Sequence, residues 1–483
     1  MRHIPGRLLI VTAVLGAAGL SLARSRVENE PAAPAPATAS LPEDHGWSAT
    51  DERNATWIGV AGCASSSCHH MNGPKGSLRS EYDTWAGYDK HARAFQVLYN
   101  ERSQRIARNL YGAGAQATEQ ALCLKCHASH DGVTDKGVSD RFQVADGVGC
   151  ESCHGAAEKW LPLHYQAGFK EKSLEEKAAL GLRPTKDIIH RAKLCTSCHV
   201  GNTDKEVNHD LIAAGHPRLA FEFGAYHSIY NKHWDDSAQH KDSDFEARLW
   251  TVGQVVTARA ALDLLAARAD GANKSGKEAR PWPEFSEYDC FACHKGLQVD
   301  SPRQRAGYAG RNPGAFPYGT WYLSLTDELA RETDSKVGNA EISLSSLRKV
   351  MQSASPDASV ARSQATTLSR SLDRWLEKLR ARTPLNAAGV DSLLIRLAGD
   401  GAKRASTMDW DQATQLYLAL AAMQQSRGDL GHKGTELLPT LEAIRQRLRS
   451  SFRPGDDSPS AFDPLALPTL NSQLNKIASQ TRN

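Results

Sequence analysis

The chain has 483 residues, with 58 lysines and arginines against 55 aspartates and glutamates, a formal net charge of +3. So small an excess leaves no electrostatic footprint for a nucleic acid, and no internal stretch approaches the roughly 20 apolar residues needed to cross a bilayer. The ten cysteines are the compositional feature that decides the reading.

At the N-terminus, Arg2 and Arg7 precede an apolar run from Leu8 to Leu22, and Ser21-Leu22-Ala23 offers a small-x-small cleavage site. Residues 1–23 therefore read as a signal peptide, and the mature chain is expected in the periplasm, starting near Arg24. An uncleaved anchor, giving membrane association, is the alternative, although about 15 apolar residues fall short of a span. Residues 24–46, with Pro31-Ala-Ala-Pro-Ala-Pro-Ala-Thr, are a Pro/Ala-rich linker that stays extended.

All the cysteines then fall into five motifs, each closed by histidine: Cys63-Ala-Ser-Ser-Ser-Cys68-His69, Cys123-Leu-Lys-Cys126-His127, Cys150-Glu-Ser-Cys153-His154, Cys195-Thr-Ser-Cys198-His199 and Cys290-Phe-Ala-Cys293-His294. Five chance placements of His after the second Cys have a probability on the order of 10⁻⁷, and the spacing is that of covalent c-type haem. Each pair can form two thioethers, and His69, His127, His154, His199 and His294 become the proximal iron ligands. Zinc knuckles would not require the following His, bridges across two residues would staple almost nothing, and a redox dithiol would need one motif rather than five. The expected cofactors are five covalently bound c-type haems, including one on the longer first motif. Their propionates make the holoprotein acidic, which also argues against nucleic acid as a partner.

Residues 47–325 are predicted as a pentahaem cytochrome c domain, mainly helix and loop with little sheet. About 280 residues for five haems are too few for a large side-chain core, so the macrocycles must supply much of the buried apolar area. Trp85, Tyr88, Ala92, Phe95 and Tyr99 recur at helical spacing as one apolar face, and Leu249 to Ala269, interrupted by Arg259, Asp263 and Arg268, reads as a soluble helix buried on one face. Residues 326–455 are predicted as an all-α domain. Leu368, Leu372, Trp375, Leu376 and Leu379 mark one helix; a second runs from Trp410 to Met423, with Asp409 as N-cap, Gln412 three residues on and Gly428 beyond its end. This domain is either a docking module or a cap over the haems. Residues 456–483 are expected as a flexible C-terminal tail.

Twelve of the 18 histidines remain in the exported chain after the proximal ligands are assigned, enough to make the irons mainly bis-histidine. The distal candidates are His91, on the apolar face with Ala92 and Phe95; His164, ten residues past His154; and His209 and His216, seven apart and on one face if helical, with Pro217 pushing His216 towards a non-helical exit. His130, His190, His227, His233 and His240 are weaker candidates, and His70 points away from the haem of its neighbour.

Three stretches resemble the cytochrome c-554 family of tetrahaem proteins, related in haem arrangement to hydroxylamine oxidoreductase. They are Trp85 with Lys90-His91-Ala92-Arg93-Ala94, the run Gly147-Val148-Gly149-Cys150-Glu151-Ser152-Cys153-His154-Gly155 followed by His164, and His190 five residues before Cys195. The resemblance covers roughly residues 60 to 200. It implies a periplasmic electron carrier with closely packed haem pairs, His164 on the first haem, His91 on the haem of His199, and a second haem, that of His127, without a distal protein ligand. The CxxxxCH spacing, the fifth motif and about 150 further residues have no counterpart in that family.

The resulting expectation is an exported pentahaem cytochrome moving single electrons between periplasmic redox partners, either other cytochromes or a membrane quinol-linked complex. The alternative is a multihaem oxidoreductase of a small nitrogen or sulfur compound at one five-coordinate haem, although the CxxCK motif of pentahaem nitrite reductases is absent. No catalytic acid or base is placed by the sequence.

Overall fold

The structure, a computed structural model, describes residues 55–130, 137–241, 243–276, 279–294, 314–332, 344–431, 437–451 and 468–481. The expected signal peptide and the Pro/Ala linker lie outside the described residues. The chain is mainly α, as expected; among the described residues there is no strand, and β pairing is limited to the isolated bridges Trp57–Val138 and Tyr288–Tyr318.

The first part consists of short helices: α1 (Glu81–Tyr88), α2 (Glu101–Tyr111), α3 (Ala121–His127), α4 (Cys150–His154), α5 (Leu174–Ala179), α6 (Ile188–His199), α7 (His209–Ala214), α8 (Phe223–Ile229) and α9 (Ser237–His240). The second is dominated by long ones: α10 (Phe245–Ala272), α11 (Cys290–His294), α12 (Thr326–Glu332), α13 (Ser345–Met351), α14 (Ala358–Ala381), α15 (Ala387–Arg404), α16 (Trp410–Asp429), α17 (Leu438–Ser450) and α18 (Pro468–Gln480). Polar side chains start many of them. Asn100, Asp187, Asn208, Asp357 and Asn386 each accept an N–H from the first turn, and Asp409 with Gln412 forms the expected capping box.

The single apolar face over 85–99 is not formed. Asp89 caps a new turn by accepting the N–H of His91 at 3.0 Å, so α1 ends at Tyr88 and two 3₁₀ turns follow. Tyr88 and Tyr99 are left exposed. Helix α10 differs as well: instead of burying one face it is buried nearly all round, because α6, α8, α14 and α16 pack around it. Its charges are answered there, Arg268 by Glu206 and Glu287, and Arg259 by Asp263 and Asp373. No described helix is long and apolar enough to cross a membrane.

One apolar cluster runs from Ile189 and Ala192 through α10 and Trp375 of α14 to Leu474 and Ile477 of α18. The flexible tail expected over 456–483 is therefore corrected at 468–480, where Leu470, Leu474 and Ile477 recur on one helical face and are buried against this core. Helix α16 also runs past Gly428 to Asp429; the left-handed residue after it is Gly431, at φ 85°.

Candidate functional site

Four of the five motifs end a helix. Cys123–His127 closes α3, Cys195–His199 closes α6, and Cys150–His154 and Cys290–His294 are α4 and α11 themselves. At helical pitch, residues i, i+3 and i+4 share a face, so both thiols and the imidazole of each motif point the same way. The longer first motif is not helical; Cys63 follows a 3₁₀ turn at Val60–Gly62.

The first four motifs line one cavity of about 1840 Å³, bordered by His69, His127, His154 and His199 and by cysteines from each motif. This is well beyond the roughly 1,000 Å³ upper range of a single small-molecule site. Motifs distant in sequence are neighbours within it. The Cys63 and Cys150 thiols lie within interaction range of each other, as do those of Cys126 and Cys198, while Cys153 lies within electrostatic reach of Cys195 and Cys198. The spatial order is thus first, third, fourth, second.

Three proximal histidines face a second imidazole. His69 and His164 have ring centres 6.2 Å apart with planes at 13°, His91 and His199 are 6.1 Å apart at 82°, and His154 and His233 are 6.2 Å apart at 61°. A metal held between two imidazole nitrogens, with bonds of about 2.0 Å and about 1.1 Å from nitrogen to ring centre, requires a spacing of roughly 6.2 Å. The residues fit an iron between each pair. Among the described residues, no three His, Cys, Asp or Glu side chains converge as around a bare metal ion.

Ring orientation is fixed from behind. Nδ1 of His69 meets Glu81 at 2.8 Å, that of His91 meets Asp89 at 3.0 Å, that of His127 meets the Ala94 carbonyl at 2.8 Å and that of His164 meets the Leu161 carbonyl at 2.7 Å. In each ring this leaves Nε2 as the nitrogen free for metal, the arrangement by which outer partners set tautomer and direction. Burial holds His154 and His199 neutral, with pKa values pushed down to about 4, helped by the neighbouring histidines His233 and His91 respectively. For His91 burial works the same way, but the hydrogen bond and charge of Asp89 outweigh it and raise the pKa.

The residues that carried the sequence resemblance meet in space. Trp85 Nε1 donates to the Val148 carbonyl at 3.0 Å, and the Val148 N–H donates to the His91 carbonyl at 3.0 Å. Gly147, at φ 71°, permits that approach; a Cβ there would lie 2.7 Å from the His91 oxygen. Glu151, buried between the two cysteines of its motif, accepts N–H groups from Ile58, Gly59 and Ala157 at 2.9, 2.8 and 2.7 Å and fastens the start of the described chain to α4. A family model described as cytochrome c554 and c-prime matches residues 63–155. That segment belongs to the cytochrome c-554 family. The cytochrome c-554 of Nitrosomonas europaea is 29% identical over 140 residues, which make up 28% of this chain and 54% of that protein, so the match spans about half of the relative's length. No solved structure matches. Membership of a cytochrome c family implies covalently bound c-type haem, in agreement with the paired thiols and imidazoles of this cavity.

Of the distal candidates, His91 and His164 stand opposite the proximal histidines that the c-554 resemblance implies. His216 lines the cavity, outside α7, with its Nδ1 at 2.7 Å from the Pro217 carbonyl. His209 does not share a face with it, because α7 ends at Ala214; its ring lies edge-on to Phe285 and its N–H donates to Glu284. His233 carried no distinguishing local signal in the sequence, yet it faces His154, and its Nδ1 is buried without a hydrogen bond. The weaker candidates His227 and His240 are otherwise engaged, His227 buried with Nε2 at 2.9 Å from Arg191 and His240 ion-paired to Asp236 and Asp429.

The fifth motif stands apart. Its cysteines and His294 do not border the large cavity, and Cys293 and His294 are exposed. Cys290 lies within electrostatic reach of Arg218 and Asp411. These two form a buried bidentate pair at 2.9 and 2.5 Å, with Thr320 donating to Asp411 and the Arg218 guanidinium over the Trp321 ring.

Proposed function

We propose that this chain is an exported pentahaem c-type cytochrome that passes single electrons between periplasmic redox partners, with c-type haems on all five motifs. One observation carries the reading: four motifs meet around a single cavity in the order first, third, fourth, second, and three of their histidines already face a second imidazole at the spacing of an axial pair. Haem supplies one-electron iron chemistry when bound. The chain holds and tunes it. Cys63 with Cys68, Cys123 with Cys126, Cys150 with Cys153 and Cys195 with Cys198 would hold four haems side by side, and His164, His233 and His91 would supply the second imidazole to three of them. Glu81 and Asp89 fix the direction of the His69 and His91 rings through Nδ1. Cys290, Cys293 and His294 hold the fifth haem, exposed enough to meet a partner such as another cytochrome or a membrane quinol-linked complex. The signal over residues 1–23 delivers the protein to the periplasm, and retention of that segment is what would tie it to the membrane.

A second reading rests on His127. Among the described residues it is the one cavity-lining proximal histidine with no imidazole opposite at 6.1–6.2 Å, which favours a small nitrogen or sulfur compound reacting at that iron. Stopped-flow reduction by less than one equivalent of a one-electron donor, with parallel turnover assays on nitrite and hydroxylamine, separates the two. The carrier reading expects electrons shared among several haems and slow turnover, since the sequence places no acid/base pair beside His127. Rapid turnover would replace it with the enzyme.

A further inference from the structure

His216 is prepared for metal in the same way as the axial histidines. Its Nδ1 is engaged by the Pro217 carbonyl at 2.7 Å, leaving Nε2, and burial keeps the ring neutral, with a pKa pushed down to about 4. Helix α2 places it beside the second motif. On one side Ala107 packs with Leu124, within α3; on the other Ile106 packs with Leu211 and Ala214 of α7 and with Leu122. Arg102 Nε then donates to the Gly215 carbonyl at 2.6 Å and Asn109 to that of Ala214 at 3.1 Å, so the turn carrying His216 is fastened to the helix that backs Cys123–His127. Gly215, at φ 124°, makes that turn; a Cβ would sit 3.3 Å from Ile106 in a backbone conformation side chains rarely adopt. Both His127 and His216 border the large cavity, whereas His294 does not, and the other three proximal histidines of the cavity already have partners.

We propose that His216 is the sixth ligand of the haem attached at Cys123 and Cys126, which makes that site bis-histidine where the family resemblance implies an open iron. The proposal rests on the reading of Cys123–His127 as a haem site. Among the described residues no ring contact joins His127 to His216, but the two imidazoles lie within electrostatic reach of each other across the cavity that both border.

Electron paramagnetic resonance of the oxidised holoprotein and of His216→Ala tests this, with intact mass recorded for both. The expected result is one more high-spin haem in the variant than in the wild type, and this additional haem binds cyanide and returns to low spin with added imidazole. A wild-type high-spin signal that His216→Ala leaves unchanged, or a variant that stays wholly low-spin, overturns the assignment. A mass lacking the haem at Cys123 and Cys126 in the wild type defeats the underlying haem reading instead. If the alanine variant does not fold, His216→Met should raise the midpoint potential of one haem and leave the others in place, because a thioether favours ferrous iron; five unmoved potentials overturn the proposal.

Discussion

Between Ala55 and Trp234 the longest helix has 12 residues, and apart from Ile189, Ala192, Val200, Phe221, Phe223 and Ala225, which join the large core of the second region, the apolar clusters are small: Phe95 with Leu98, Ala107 and Leu124; Ile106 with Leu211 and Ala214; Ala157 with Trp160 and Phe169. From Phe245 onward the helices reach 28, 24, 18 and 20 residues and share one continuous core through Trp250, Leu372, Trp375, Leu394 and Met423. The first region surrounds a cavity lined by thiols and imidazoles; the second surrounds leucines. Side chains close the second core; on the proposed reading the interior of the first is completed by covalently attached macrocycles, each offering far more apolar area than any side chain.

The largest expected effect follows from that contrast. Chain made without haem attachment, by retention in the cytoplasm, should lose ordered structure in the first region while α10 and α14 to α16 stay protected in hydrogen-exchange mass spectrometry. Equal protection of residues 85–200 with and without haem would erase the distinction. Next in size, Trp375→Ala should cost about 3–5 kcal/mol in chemical denaturation of the holoprotein, because its ring lies fully buried in the side-chain core. Leu124→Ala, in a cluster of six buried residues, should fall near the lower end, about 2 kcal/mol. A reversed order of the two would mean that the first region carries its own side-chain core.

The smallest effect concerns the junction of the regions. The carboxylates of Asp236 and Asp429, the latter accepting a hydrogen bond from the His240 ring, hold the His240 pKa up at about 9, against burial, and so link the end of α9 to α16. Since an unfolded histidine titrates near 6.5, this contribution is fully present below about pH 6.5 and is lost as pH rises through about 9. The ring is a quarter exposed, so the loss should be modest. His240→Gln should flatten the fall of the unfolding midpoint over that window, and an unchanged pH profile would show that the link is not formed.

Much of this contrast was legible in the sequence. The five motifs are local covalent signatures, and α14 and α16 announce themselves by apolar periodicity and by the Asp409–Gln412 box, all of which act within a few residues. What could not be read depends on contacts made across the fold. His233 stands 79 positions from His154, and nothing beside it in sequence marks it as that ring's partner. Asp89 stops a helix that the spacing of Trp85, Tyr88 and Ala92 would have continued, because its carboxylate serves His91 on one side and the Tyr230 hydroxyl on the other. The burial of α10 on every side, and of Leu470, Leu474 and Ile477 near the C-terminus, likewise follows from neighbours distant in sequence.

Intact mass of the purified holoprotein, with thiol titration of the unfolded chain, tests most directly whether the interior of the first region is built from haem. The mass should exceed that of the polypeptide by five haems of roughly 616 Da each, with no free thiol among the ten cysteines. A mass short of that, with cysteines between Cys63 and Cys198 titrating as thiols, would contradict it.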